Sequence, residues 1–138
     1  MQAEFWGILH DGGIANIAGT VPGTISIDIS IGYLRQQFPD KGTGFKVVLT
    51  DCTRFEFAEY DRELLHDVES IVERDPEILN LEHGGDPVVV NCTMGTLTLL
   101  YATASVYLDS GTPVSFEELS AASSAYWEAW KARTRRQE

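Results

Sequence analysis

His10 and Asp11 are adjacent, and Gly12 and Gly13 follow them. A histidine and a carboxylate beside a flexible turn are the side chains that acid–base work or metal binding would need. Neighbours on an extended strand point to opposite faces, however. The simpler reading is that Asp11 shapes the turn and His10 makes a structural hydrogen bond. The other histidines are isolated. His66 precedes Asp67, off the apolar stripe of its segment, and His83 precedes Gly84-Gly85. With no His-x-x-x-His and no Cys-x-x-Cys there is no metal signature, so neither a metal nor a cofactor is expected.

Cys52 and Cys92 each close an apolar run, and they read as two buried thiols rather than a disulfide. The phosphate loop G-x-x-x-x-G-K-[ST] and the elbow G-x-S-x-G do not occur. Gly12-Gly13 does not open a helix, as a dinucleotide fingerprint would require. These absences favour a non-catalytic protein.

Charge is the stronger signal. The 138 residues carry a formal net charge of −11. Between Asp51 and Asp86, twelve acids face three arginines, while Lys131, Arg133, Arg135 and Arg136 gather at the end. An acidic body repels phosphate backbones, which argues against nucleic acid. It attracts a basic protein and speeds the encounter. Asp61, Glu63, Asp67, Glu69 and Glu73 are the expected partner-binding residues. The bland alternative is solubility. The basic end is most simply a complement to the negative end of a helix dipole.

These side chains need a scaffold. Ile25, Ile27, Ile29, Ile31 and Tyr33 alternate with Ser26, Asp28, Ser30 and Gly32. A period of two gives one apolar and one wet face, as in an antiparallel sheet with one buried side. A strand is expected from about Thr24 to Arg35, and others at Glu4–His10, Ile14–Ala18, Gly44–Thr50, Phe55–Phe57, Val88–Val90, Thr96–Ala102 and Ser105–Leu108. From Asp61 the spacing changes. Leu64, Leu65, Val68, Ile71 and Val72 form a stripe that predicts an acidic helix from about Arg62 to Arg74, ended by Asp75-Pro76. Pro76 to Leu81 reads as a short helical turn. Ser115 with Glu118 predicts a capping box, and Val114 with Leu119 a hydrophobic staple. Behind them Phe116, Leu119, Ser123, Tyr126, Trp127 and Trp130 run along one side of a long helix, which is expected to clamp onto the sheet. The expectation is one α+β domain spanning 1–138. It has a largely antiparallel, twisted sheet of about six to eight strands, an acidic mid-chain helix, and a long C-terminal helix packed on the sheet. No apolar run approaches the roughly 20 residues of a membrane span. The start, Met1 to Trp6, lacks the basic and apolar regions of a secretory signal, so the cytoplasm is the expected location.

Three stretches taken together resemble a known kind of protein. They are Phe5-Trp6-Gly7-Ile8-Leu9-His10-Asp11-Gly12, then Gly32-Tyr33-Leu34-Arg35, then Phe55-Glu56-Phe57 with Tyr60-Asp61. The pattern is similar to small, mostly uncharacterised bacterial proteins, some of them grouped with the immunity proteins of toxin–immunity systems. The likeness covers about the first sixty residues and rests on fold-forming motifs. It implies a partner-binding protein without catalysis and transfers no functional residue. Three readings follow. The first is a protein-binding module, of the immunity type, that neutralises a basic partner. The second is a small enzyme or ligand-binding domain with its site at His10 and Asp11. The third is a homo-oligomer formed through a sheet edge or the Trp127/Trp130 face.

Overall fold

The computed structural model describes residues 3–60 and 64–137, the last two without their side chains. The chain runs α1 (Phe5–Ile8), β1 (Gly13–Gly19), β2 (Gly23–Ser30), α2 (Gly32–Arg35), β3 (Gly44–Cys52) and β4 (Arg54–Glu59). It continues through β5 (Leu64–Leu65), α3 (Val68–Glu73), β6 (Ile78–His83), β7 (Val88–Cys92) and β8 (Gly95–Leu100). β9 (Thr103–Leu108), β10 (Pro113–Val114) and α4 (Phe116–Gln137) complete it. The class is α+β and every described strand pair is antiparallel.

The strands form two sheets of five rather than one of six to eight, in the orders β1-β2-β3-β9-β10 and β5-β4-β8-β7-β6. The chain changes sheet twice, at neighbouring places. It leaves the first sheet at Thr53, whose N–H donates to the Leu100 carbonyl, and returns at Ala102, whose N–H donates to the Thr50 carbonyl. Each crossing takes one or two residues, so short strands on either side of it look continuous in sequence.

The isoleucine ladder is the floor of the first sheet. Ile25, Ile27, Ile29 and Ile31 are all buried, and Ile25, Ile27 and Ile29 lie opposite Leu49, Val47 and Phe45 of β3. The second sheet contributes Phe55, Phe57, Leu97, Leu99, Val88 and Val90 to the same core. Burial of this apolar surface, at about 25 cal/mol per Å², is the main force holding the two sheets together.

Four expected elements differ. Glu4–His10 is not a strand; Phe5–Ile8 coils into one helical turn. Phe5, Trp6 and Leu9 are fully buried, and a helix places all three on one side, whereas a strand would split them. The strand expected to reach Arg35 stops at Ser30, and Gly32–Arg35 turns helical. That turn delivers the fully buried Arg35 side chain to Asp109 and to the carbonyls of Asp40 and Lys41. Pro76–Leu81 is not a helical turn but leads into the bulged edge strand β6. The mid-chain helix is also shorter than expected and spans only Val68–Glu73.

The C-terminal helix is as long as expected. Glu118 N–H donates to Ser115 Oγ (3.1 Å) and Ser115 N–H to Glu118 Oε1 (3.0 Å), a complete capping box. Val114 and Leu119 are buried on either side of the cap. Leu119 and Ala122 join the core, and the helix then lies across α1 and α2. No described helix is long and apolar enough to cross a membrane.

Candidate functional site

The acidic stretch folds around one capping residue. Asp67 is extended (φ −77°, ψ 116°), and its carboxylate accepts from the Glu69 N–H (3.3 Å) and from the Ser70 hydroxyl (2.9 Å). An aspartate at this position satisfies orphan N–H groups and favours a helix start there. That starts α3 at Val68 and frees Leu64 and Leu65 to pair as β5 with Ala58 and Phe57. Of the five expected partner-binding residues, Glu69 and Glu73 therefore lie on α3, exposed, and Asp67 caps it, exposed. Asp61 and Glu63 lie outside the described residues. Ile71 is fully buried, and Val68 and Val72 pack beside the core, so α3 presents its carboxylates outward.

Beside α3 opens a cleft of about 430 Å³. The β1–β2 turn (Gly19, Thr20, Val21) makes one wall, Thr53 to Glu56 a second, and His66 to Val68 the third. Gly19 sits at φ +116°, where a Cβ would lie 2.1 Å from the Thr24 carbonyl oxygen, so this wall needs a glycine. Glu56 faces two groups here. Arg54 Nε lies 3.0 Å from Oε2, and His66 Nε2 lies 3.6 Å from Oε1. In sequence His66 lies off the apolar stripe, and nothing in the spacing points to Glu56. The pairing depends on β5 folding back on β4, which spacing alone does not encode.

The two described arginines of this stretch are already engaged. Arg54 holds Glu56, and Arg74 holds the buried Glu59 at 3.1 Å. Arg62 lies outside the described residues. Among the described residues, no cation reaches ion-pair distance of Asp67, Glu69, Glu73, Asp75 or Glu77.

His10 and Asp11 are placed differently. The His10 Nδ1–H donates to the Gly7 carbonyl (2.9 Å), and the Tyr33 hydroxyl donates to the His10 carbonyl (2.9 Å) and lies 3.4 Å from Nε2. The imidazole stacks on Trp127, with centroids 5.8 Å apart and planes at 14°. Tyr33 packs on Tyr126 at 4.5 Å. Burial, with help from the Asp11 and Tyr126 charges, pushes the Tyr33 hydroxyl up to about 12, so it stays a neutral donor. Asp11 is exposed at φ +69°, and its N–H donates to the Ile78 carbonyl. The two side chains thus serve different ends, His10 tying α1 to α4 and Asp11 turning the chain. Neither lines the cleft beside α3.

Both cysteines are buried and unbridged. Cys52 Sγ–H donates to the Arg54 carbonyl and Cys92 to that of Val90. Burial raises both thiols, Cys92 up to about 12, which removes the thiolate that nucleophilic chemistry needs. No group of three or more metal-ligating side chains occurs among the described residues. No protein-family model matches the chain, and no curated protein or solved structure matches it either.

Proposed function

We propose that this chain is a non-catalytic protein-binding module that engages a basic partner through the acidic face formed by Asp67, Glu69 and Glu73. An immunity-type protein, which neutralises a basic toxin by covering it, is the specific role of that kind we favour. One observation carries the reading: the arginines described in this stretch are paired to Glu56 and Glu59, so among the described residues no cation pairs with the exposed α3 carboxylates. A one-signed face keeps the chain soluble, and it also steers an oppositely charged partner, which is the property a binding module uses. The engaged His10 and the buried, raised thiols add support, because neither offers a reactive group in the cleft.

The test begins with capture of a basic protein by the immobilised chain, followed by measured association with E69K/E73K and with a D67K/E69K/E73K triple variant. The association rate is expected to fall at least tenfold at low salt and to converge on the wild-type rate near 0.5 M salt, where the Debye length is a few Å. A partner that binds both variants at the wild-type rate at low salt removes the acidic face from the account.

A further inference from the structure

Four of the ten cations lie in the last eight residues. They sit on a helix end that has left the body. α4 spans 22 residues, about 33 Å. Its last buried residue is Ala122, Tyr126 and Trp127 are half-buried against Tyr33 and His10, and Glu128 to Arg135 are exposed apart from the partly covered Thr134. Trp130 continues the apolar side beyond the edge of the body and is 45% exposed. It touches Trp127 edge-on at 5.9 Å. Among the described residues no carboxylate pairs with Lys131, Arg133 or Arg135.

Complementing a helix dipole needs only a charge or two in the last turn and no tryptophan. A tryptophan followed within five residues by Lys131, Arg133 and Arg135 is instead the composition of an interface anchor. The rest of the chain limits what that anchor can meet. Residues before 124 carry nineteen acids against six cations, so a nucleic acid or an anionic membrane would be repelled by the body that brings the helix to it. A second copy carries the same net charge, but its facing acidic patch is compact, whereas a nucleic acid or a membrane extends its charge along the whole acidic body. It presents Asp67, Glu69 and Glu73, which have no cationic partner among the described residues, beside a cleft of about 430 Å³ walled in part by Val21, Phe55 and Val68. The facing patches are opposite in sign, and within a Debye length, about 10 Å at 0.1 M, their attraction is local while the repulsion between whole molecules is screened.

We infer that the C-terminal end of α4 docks on a second copy of this chain, with Trp130 entering the cleft beside α3 and Lys131, Arg133 and Arg135 facing Asp67, Glu69 and Glu73. The inference rests on the reading of the α3 face as a docking surface. The contact is heterologous, because helix end meets acidic face, so it can propagate from copy to copy.

Sedimentation equilibrium of the full chain tests it at about 10 and 300 µM, in about 0.1 and 0.5 M salt. At the lower salt the average mass is expected to rise with concentration above the 15.3 kDa of one chain and to fall back at the higher salt. W130A/R133E/R135E lacks the anchor and E69K/E73K lacks the acceptor, and each alone is expected to stay at 15.3 kDa. All five side chains are exposed, and an unchanged far-ultraviolet circular dichroism spectrum checks that both variants fold. Mixed one to one, the variants supply one working anchor and one working acceptor, and they are expected to form a closed pair of twice the chain mass. A wild type that remains monomeric throughout, a variant that associates as the wild type does, or a mixture that stays monomeric overturns the inference. None of these results touches the proposed function, which fails instead when a captured basic protein binds D67K/E69K/E73K at the wild-type rate.

Discussion

Two groups of charges in this molecule have opposite fates. Arg35 is fully buried, and each of its three guanidinium nitrogens is engaged. It donates to Asp109 (2.9 Å) and to the carbonyls of Asp40 (3.0 Å) and Lys41 (3.2 Å), and it pairs with the Asp40 carboxylate at 3.0 Å. Gly42 makes room for it, since a Cβ there would lie 2.5 Å from Nη2. The carboxylates of α3 are exposed, and among the described residues none has a cation beside it. A charge taken out of water must be partnered within the fold, or it costs several kcal/mol. A charge left in water costs the fold almost nothing and remains available to something else. Burial therefore separates charge that organises this structure from charge that can act outside it.

The largest effect should come from breaking the buried group. Arg35→Ala leaves the Asp109 carboxylate and two inward-facing carbonyls short of donors and opens a void. Arg35 is fully buried, but Asp109 and Asp40 keep 35% and 44% of their side chains exposed, so the cost should lie toward the low end of the range for breaking a buried pair, about 3 kcal/mol. Urea unfolding followed by tryptophan fluorescence reads this directly, because Trp6 lies in the core. A loss below about 1 kcal/mol, the scale of a surface pair, would mean that Arg35 does not organise the α2–β3 and β9–β10 loops.

Asp109 sharpens the same contrast through pH. Partial burial alone would raise its carboxyl. The Thr43 N–H (2.8 Å), Arg35 and the Gly44 N–H (3.1 Å) outweigh that and bring it down to about 2. In the unfolded chain an aspartate titrates near 3.9. The folded value is the lower one, so this interaction stabilises fully above about pH 4 and is lost as pH falls toward 2. Asp109→Asn lacks the increment at every pH. The stability gap between wild type and variant should be constant above pH 5 and shrink between pH 4 and pH 2. A gap that keeps its full size down to pH 2 would show that the carboxylate gains nothing from these donors.

The two regions also differ in how far sequence exposes them. The isoleucine ladder is legible because a period of two and burial on one side are local properties, and no competing pattern overlays them. The capping box at Ser115 is legible for the same reason, since all its atoms lie within four residues. The mid-chain stripe misleads. Leu64 and Leu65 fit helical spacing as well as Val68, Ile71 and Val72 do, and only the Asp67 cap and the pairing of β5 with β4 decide where the helix begins. Phe5 to His10 is apolar on both strand faces, so alternation has nothing to discriminate, and the demands of the core settle it. Exposure of Asp67, Glu69 and Glu73 is readable from the stripe they avoid. The cleft is not, because its walls come from three segments joined only in space. Arg35 is the hardest case. In sequence it ends an alternating run and looks like a solvated strand end, and its role depends on Asp109, 74 residues away.

The smallest expected effect bears most directly on function. E69K/E73K reverses two exposed charges on α3 and disturbs no described ion pair. Glu69 does favour the positive end of the helix dipole, which is worth some tenths of a kcal/mol. Against this, two new cations relieve repulsion within an acidic surface. The opposing terms should leave unfolding free energy within about 0.5 kcal/mol of wild type, as for most surface substitutions. Stability should therefore stay flat while partner association slows, a separation that Arg35→Ala cannot produce. If E69K/E73K instead costs more than about 2 kcal/mol in urea unfolding, these carboxylates belong with Arg35 as part of the framework, and the division between structural and available charge no longer holds for α3.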